Sequence, residues 1–290
     1  MRDAVEYAKA ALCSRDALIR TVIWIAASIL AMAFVWLLFD LLRQGYGRID
    51  WSFLTTAPRN AGRDGGIAPI LVSTFLIIVV AMVLAGPLGL ATALFLSDFA
   101  RAGGRLARWT GLSLDVLAGT PSIIFGLFGG AFFCVFLGLG FSILSGGMTL
   151  ACMALPVLIR TIESGLRATP DEWRLGAAAL GVSRATMLWR IVIPAAAPSL
   201  AAGLMLGIGR AMAETAALMF TSGYVDRMPS SLFDSGRALS VHIYDLTMNV
   251  SGGDRNAYAS ALALIALLIA SNSAALWLSD LLFSRRIARS

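Results

Sequence analysis

Lysine is almost missing from this chain, with Lys9 the only one. A phosphate-cradling Walker A loop ends in Gly-Lys-Ser/Thr, so none exists here and the chain is not a P-loop ATPase by itself. Histidine is as scarce: His242 stands alone, which leaves little on which to build a Ser/His/Asp site or a histidine metal centre, and it reads as a solvated loop residue. The cysteines, Cys13, Cys134 and Cys152, show no ligand spacing and no secreted-domain context, so neither disulfides nor zinc are expected. Charge is sparse as well. Asp, Glu, Lys and Arg make up 14% of residues against 58% hydrophobic, with a mean hydropathy of +0.80, more than a soluble core of 290 residues requires. The formal charge of +6 comes from arginines scattered over loops, without a basic stripe interleaved with aromatics, so nucleic acid is not an expected partner.

What is present in quantity is apolar sequence in runs of about 20 residues, the length a helix needs to cross a bilayer. The chain therefore reads as an all-α polytopic membrane protein with six spans. Residues 1–20 form a polar, amphipathic start, and a first span follows at 21–42. That run is long and lacks a small-residue cleavage pattern, so it reads as an uncleaved anchor rather than a signal peptide. A Gly-rich polar loop at 43–66 leads to a second span at 67–97, where Gly86-Pro87 predicts a kink. The third span ends near 139; the fourth covers 141–160 and is expected to be interrupted at Ser145-Gly146-Gly147. The fifth covers 199–222, the sixth 258–283, and residues 284–290 form a tail. Placing the N-terminus inside gives the cytoplasmic segments 15 Lys/Arg and the two outer loops 7, so the positive-inside rule puts both termini in the cytoplasm.

The polar island at 169–198, TPDEWRLGAAALGVSRATMLWRIVIPAAAP, reads as two short helices joined by a sharp turn. Thr169 is placed to cap the first, with Pro170 at its first position and Glu172 completing a capping box. Gly181 supplies a left-handed stop, Ser183 a second cap, and Pro194 ends the second helix. Leu175, Ala178, Ala179 and Val182 give the first helix an apolar stripe; Met187, Leu188 and Ile191 do so for the second. The unit is too short to be a domain and needs a partner surface, either an attached protein or the bilayer.

Two stretches place polar groups inside apolar runs. In AAGLMLGIGRAMAETAALMF, Arg210 and Glu214 stand four residues apart, on one face if the helix is continuous. Charges in a membrane span are costly and face a bundle interior or a solute route, so the pair is either a structural ion pair or part of a pathway for a charged solute. Arginine suits an oxyanion because its planar donor fork matches phosphate geometry. The break Gly119-Thr120-Pro121-Ser122 frees backbone groups that Thr120 and Ser122 can satisfy; it is a packing kink or a polar element of the same pathway, as is Thr215. Asp40, Asp98 and Asp280 lie near span ends within reach of water, and Asp115 and Glu163 flank cytoplasmic boundaries.

Gly181, nine intervening residues and Ile191-Val192-Ile193-Pro194 resemble the EAA loop of ABC-importer permeases, although Leu175-Gly176-Ala177 stands where Glu-Ala-Ala is expected. DWSFLTTAP at 50–58, LAGTPSIIFGLFG at 117–129, LPVLIRTIESGLRATPDEWR at 155–174, GIGRAMAETAALMFTSGY at 207–224 and ALSVHIYDL at 238–246 are similar to phosphate-importer permeases of the PstA type. The resemblance implies a type I ABC importer permease core at 67–283, with a heterodimer partner of the PstC type. It also implies two copies of a separate ATPase, which would hold the ATP and Mg, and a periplasmic phosphate-binding protein. In that reading Gly176, Ala177, Gly181, Ile191 and Pro194 belong to the ATPase-coupling loop, and Arg210 and Glu214 serve transport. The chain, set in membrane lipid of the bacterial inner membrane, would bind no cofactor. Permeases for molybdate, sulfate or phosphonate are the alternative, and an ion-coupled secondary transporter the more distant one.

Overall fold

The computed structural model describes the backbone of residues 2–100 and 104–287, and the side chains of 19–100, 104–274 and 277. The amphipathic character of residues 1–20 and the position of the Asp280 carboxylate lie outside the described side chains. Four helices are long and apolar enough to cross a membrane, and six if two sharply bent pairs each count as one span.

Helix α1 (Arg2–Gly45) is continuous through the first span. A short 3-10 turn, helix α2 (Trp51–Thr55) and a two-residue hairpin, β1 (Pro58–Arg59) with β2 (Asp64–Gly65), follow; the hairpin is antiparallel, with Pro58 opposite Gly65. Asp50 caps α2, its carboxylate accepting the Phe53 N–H at 2.7 Å, and this bond holds the carboxyl below the usual range. Helix α3 (Ala68–Leu94) carries Pro87 inside it and ends in a π turn, Phe95–Phe99. Helix α4 (Arg105–Gly119) is joined through Thr120-Pro121 to α5 (Ser122–Gly129) and its π continuation, Gly130–Phe136. The bend between them is 102°, so the third span is broken rather than kinked: Pro121 has no N–H, and Thr120 turns its hydroxyl back to the Val116 carbonyl at 2.8 Å.

Helix α6 (Ile143–Arg167) is capped by Ser142 and passes unbroken through Ser145-Gly146-Gly147, where an interruption was expected. These glycines are contact points. A Cβ on Gly146 would sit 2.8 Å from the Ser222 Cβ, and one on Gly147 2.5 Å from the Val80 Cγ1. Inside a membrane, where apolar burial supplies little drive between helices, such close approach supplies the packing. Gly147 against Val80 and Gly89 against Leu158 show that α3 and α6 run parallel.

Beyond α6 lie α7 (Asp171–Ala179), α8 (Arg184–Met187), a π turn at Leu188–Val192 and α9 (Ile193–Ala195). Pro194 does not end the second island helix. The widened turn before it accommodates the missing N–H, and the chain bends 66° only at Ala196, entering α10 (Ala197–Met212). Gly165 faces Ser199 and Gly203 faces Ile162, so α10 returns antiparallel to α6. The fifth span is therefore not one helix over 199–222: it stops at Met212, and a break at residues 213–215 precedes α11 (Ala216–Met219). Helix α12 (Leu239–Met248) lies between α11 and α13 (Asp254–Ile287), and α13 closes the fold beside α1, with Gly45 against Tyr258 and Leu262.

Three apolar clusters stack along the bundle. One around Phe53, Ile67, Ile70 and Leu239 fills the hairpin end; one around Ile77, Leu150, Met153 and Ala211 fills the middle; one around Leu96, Leu158, Ile162, Leu166 and Val192 fills the island end.

Candidate functional site

The island is held by ordinary helix-end chemistry with one shift in register. Pro170, not Thr169, occupies the cap position of α7 without a side-chain bond, and the expected capping box does not form. Thr169 is buried, and its N–H goes to the Leu166 carbonyl at 3.3 Å, so this residue finishes α6 rather than starting α7. At the other end the expectation and the geometry agree. Gly181 has φ +69°, its N–H bonds the Ala178 carbonyl at 3.0 Å, and the Val182 N–H reaches back to Ala177 at 2.9 Å, a Schellman stop. Ser183 caps α8 by accepting the Thr186 N–H at 3.2 Å. Of the other loop residues, Ala177 is buried, Gly176 is exposed with open space beside it, and Ile191 and Pro194 are half-buried.

The apolar stripe of α7 faces outward. Leu175 is 69% and Leu180 83% exposed, with Trp173, Ala178, Ala179 and Trp189 also exposed. Between α7, α8 and the end of α3 lies a groove of about 540 Å³, lined by Asp98, Arg174, Leu175, Val182, Met187 and Leu188 among others. Asp98 does not reach water: it is buried in an ion pair with Arg174 and is bonded by the Ser97 hydroxyl. Arg174 also donates to the Leu166 carbonyl at 2.9 Å. Nearby, Glu163 is buried between Arg167 at 2.8 Å and Arg160 at 3.3 Å, and Arg160 also binds Asp115 at 2.6 Å.

The pathway candidates are arranged differently from the expected helix face. Because α10 stops at Met212, Arg210 and Glu214 are not successive turns of one helix, and no ion pair joins them. Arg210 lies exposed in the last turn of α10, beside Ala211 of the middle cluster. The Glu214 carbonyl accepts the Ser240 hydroxyl, tying the break to α12 across 26 residues. Thr215 is half-buried and leads α11; Thr120 and Ser122, also half-buried, precede α5. The two short helices that follow these breaks pack together, with Gly126 of α5 against Ala217 of α11, so both interruptions are brought to one region of the bundle.

At the opposite end, one residue departs from expectation. His242 is 1% exposed rather than solvated, packed against Gly62 in its positive-φ turn. Burial, reinforced by the Arg237 guanidinium 3.4 Å away, lowers its pKa to about 4. Arg237 is satisfied by Asp245 at 3.1 Å and the Tyr224 carbonyl at 2.8 Å. Asn256 ties the start of α13 to the segment after α1, donating to the Gly62 carbonyl at 2.6 Å and accepting from Arg48 at 3.0 Å. The only local signal for this burial is the run ALSVHIYDL, whose apolar neighbours already indicate a packed helix.

Four to six helices of membrane-crossing length and apolarity, with a short helix pair at one end, define an all-α multi-pass membrane protein. The chain belongs to the family of binding-protein-dependent transport system inner membrane components, whose model matches residues 85–288. It is thus the membrane permease subunit of an ABC importer. It is 30% identical to the probable ABC transporter permease protein YqgI of Bacillus subtilis, over 91% of this chain and 95% of that one. It is 34% identical to the phosphate transport system permease protein PstA 1 of Mycobacterium tuberculosis, over 83% of this chain and 81% of that one. The fold matches the inward-facing MetNI methionine ABC transporter at a TM-score of 0.59 and 15% identity, covering 73% of this chain and 95% of that one.

Proposed function

We propose that this chain is one of two permeases of an ATP-driven importer of inorganic phosphate, and that a separate ATPase grips it through residues 169–198. The observation that carries the phosphate reading is the 34% identity, over 83% of the chain, to a permease named for phosphate transport. The reading gains support from Arg210. An exposed guanidinium at the depth of the middle cluster, with no ion-pair partner among the described residues, has no place against lipid. A seam with a second permease, where a hydrated anion passes, gives it one, and its planar fork suits a phosphate oxygen pair. Glu214 and Thr215 at the α10–α11 break and Thr120 and Ser122 at the α4–α5 break would line the same route.

The ATPase reading rests on the outward apolar face of α7. Leu175 and Leu180, with Trp173, form an exposed surface next to a Schellman turn whose geometry only glycine adopts without strain. A partner covering it makes sense of both features. The cytoplasm lies on the island side in this reading, with both termini there, and the periplasmic binding protein meets the hairpin end.

The test is phosphate uptake in a strain lacking its PstA-type permease, complemented with this chain or with an Arg210→Gln copy at equal expression. Rescue by the first and not by the second is expected. Rescue by neither, with the other subunits assembled, would transfer the assignment to another oxyanion such as molybdate, sulfate or phosphonate. Equal rescue by both would remove Arg210 from the pathway. Failure of any ATPase to co-purify would favour an ion-coupled transporter.

A further inference from the structure

Among the described residues, one ion pair reaches from the 169–198 island to a membrane-spanning helix: Arg174 of α7 with Asp98 in the π turn that ends α3. The pair is enclosed, with side chains 19% and 7% exposed, whereas the neighbouring Arg160–Asp115 pair is 43% and 66% exposed. Enclosure changes its meaning. An exposed pair contributes little and slides freely, but a buried carboxylate stripped of its guanidinium is left uncompensated, so separating the two is opposed over any displacement.

Arg174 is also bound to a second span, through the Leu166 carbonyl in the last turn of α6 at 2.9 Å. That carbonyl already accepts the Thr169 N–H at 3.3 Å and offers Arg174 its second lone pair, and a cation at a helix C-terminus is favoured. Arg167 adds a parallel strap, donating to Leu96 of α3 at 3.4 Å while paired with Glu163. One planar fork thus holds the ends of α3 and α6, the two helices that run parallel through the core, to the first helix of the island. Elsewhere on α7 Ala177 is buried, while Trp173, Leu175, Ala178 and Ala179 are exposed.

We infer that Arg174 is the positioning residue that makes α7 move as one body with the ends of α3 and α6, so that displacement of the island by its ATPase reaches both spans together. This rests on the reading that an ATPase docks on the island. Arg174 touches neither ATP nor the transported solute; it acts by fixing the angle between α7 and the spans.

The test uses the complete transporter, with its second permease, ATPase and binding protein, in proteoliposomes. Asp98→Asn and Arg174→Gln are expected to retain the ATPase and to hydrolyse ATP, while phosphate taken up per ATP falls roughly tenfold, the scale on which linking residues modulate coupling. Arg174→Lys keeps the charge but not the fork and is expected to fall between. The double variant Asp98→Asn/Arg174→Gln leaves no unpaired buried charge, so it separates transmission from simple destabilisation. It is expected to stay as poorly coupled as the single variants, and recovery of wild-type coupling would overturn the inference.

A readout independent of the solute is the spin-label distance between Glu172→Cys on α7 and Phe99→Cys at the end of α3, in a cysteine-free background. One narrow distance common to the nucleotide-free and ATP-bound complexes is expected in wild type, and a broadened or shifted one in Arg174→Gln. A distance unchanged by Arg174→Gln, or loss of the ATPase from that variant, would overturn the inference and leave the docking reading standing. A wild-type chain that never associates with an ATPase would overturn both.

Discussion

At the island end of the bundle, the polar groups are ionic and the apolar ones point outward: Asp98, Glu163, Arg160, Arg167 and Arg174 form ion pairs, while Leu175, Leu180 and Trp189 lie exposed. At the hairpin end the arrangement is reversed. Most polar groups there are spent on internal hydrogen bonds, such as Asn256 to Gly62 and Leu239 N–H to the Thr74 hydroxyl at 2.8 Å, and the apolar groups Phe53, Ile67, Ile70 and Leu246 are buried. The difference lies in what holds each end. The hairpin end is held largely by internal hydrogen bonds around a buried apolar cluster, although Trp51 and Met248 stay exposed, whereas the island end is finished inwardly by ion pairs and left open outwardly. In the docking proposed for the island, the exposed leucines and tryptophan keep their desolvation for the partner.

The contrast can be broken most severely at Arg237. Its pair with Asp245 is enclosed, with side chains 11% and 17% exposed, so Arg237→Met leaves a buried carboxylate unpaired and should lower stability by about 3 kcal/mol in a detergent melt. Acid sharpens the same distinction. The folded pKa of His242, about 4, lies below its ordinary 6.5, so the unfolded chain binds more protons between those values and stability falls as pH drops through that window. A loss of about 2 kcal/mol at pH 5 follows. Since His242 is the only histidine, amide protection relative to the intrinsic exchange rate should fall from pH 7 to pH 5 in residues 225–260 and not in the island.

At the island end the effects should fall on transport rather than on stability. A Cβ on Gly181 meets nothing within 4 Å, so Gly181→Val introduces only the strain of a left-handed φ, about 1–2 kcal/mol, confined to the turn. Uptake per ATP should drop at least tenfold, the factor corresponding to about 1.4 kcal/mol, while the melt moves little. Smallest of all, Arg160→Gln should cost less than about 1 kcal/mol, because its pair with Asp115 is largely solvated and the buried Glu163 keeps Arg167 at 2.8 Å. A melt in which Arg160→Gln costs as much as Arg237→Met would abolish the distinction between the two ends.

Much of the island was readable from residue types alone. Gly181 and Ser183 act through backbone conformation and a hydroxyl two to three residues from its target, both local effects. Thr169 and Pro170 both suit a cap by residue type, and only the burial of Thr169 under the end of α6 decides for Pro170. The Arg210–Glu214 pairing failed for the opposite reason. The segment is rich in good helix formers, yet it breaks at residues 213–215, where the Glu214 carbonyl bonds Ser240 from a helix 26 residues on. Ser145-Gly146-Gly147 looked like an interruption because glycine weakens an isolated helix, but α3 and Ser222 press against those glycines and need them small.

The amino-acid sequence by itself determined what depends on composition and near neighbours: a membrane-embedded all-α chain, the polar island and its turn, and the absence of a nucleotide-binding loop. Hydropathy over about 20 residues and helix-end chemistry over three or four residues are local quantities, legible without a fold. Only the tertiary structure decided that Asp98 meets Arg174, that His242 is buried, and that Arg210 lacks Glu214 as a partner. Each depends on which distant helix end arrives beside a charge or an unsatisfied carbonyl, and that is set by how glycine faces on α3, α6 and α10 dock rather than by any one stretch of chain.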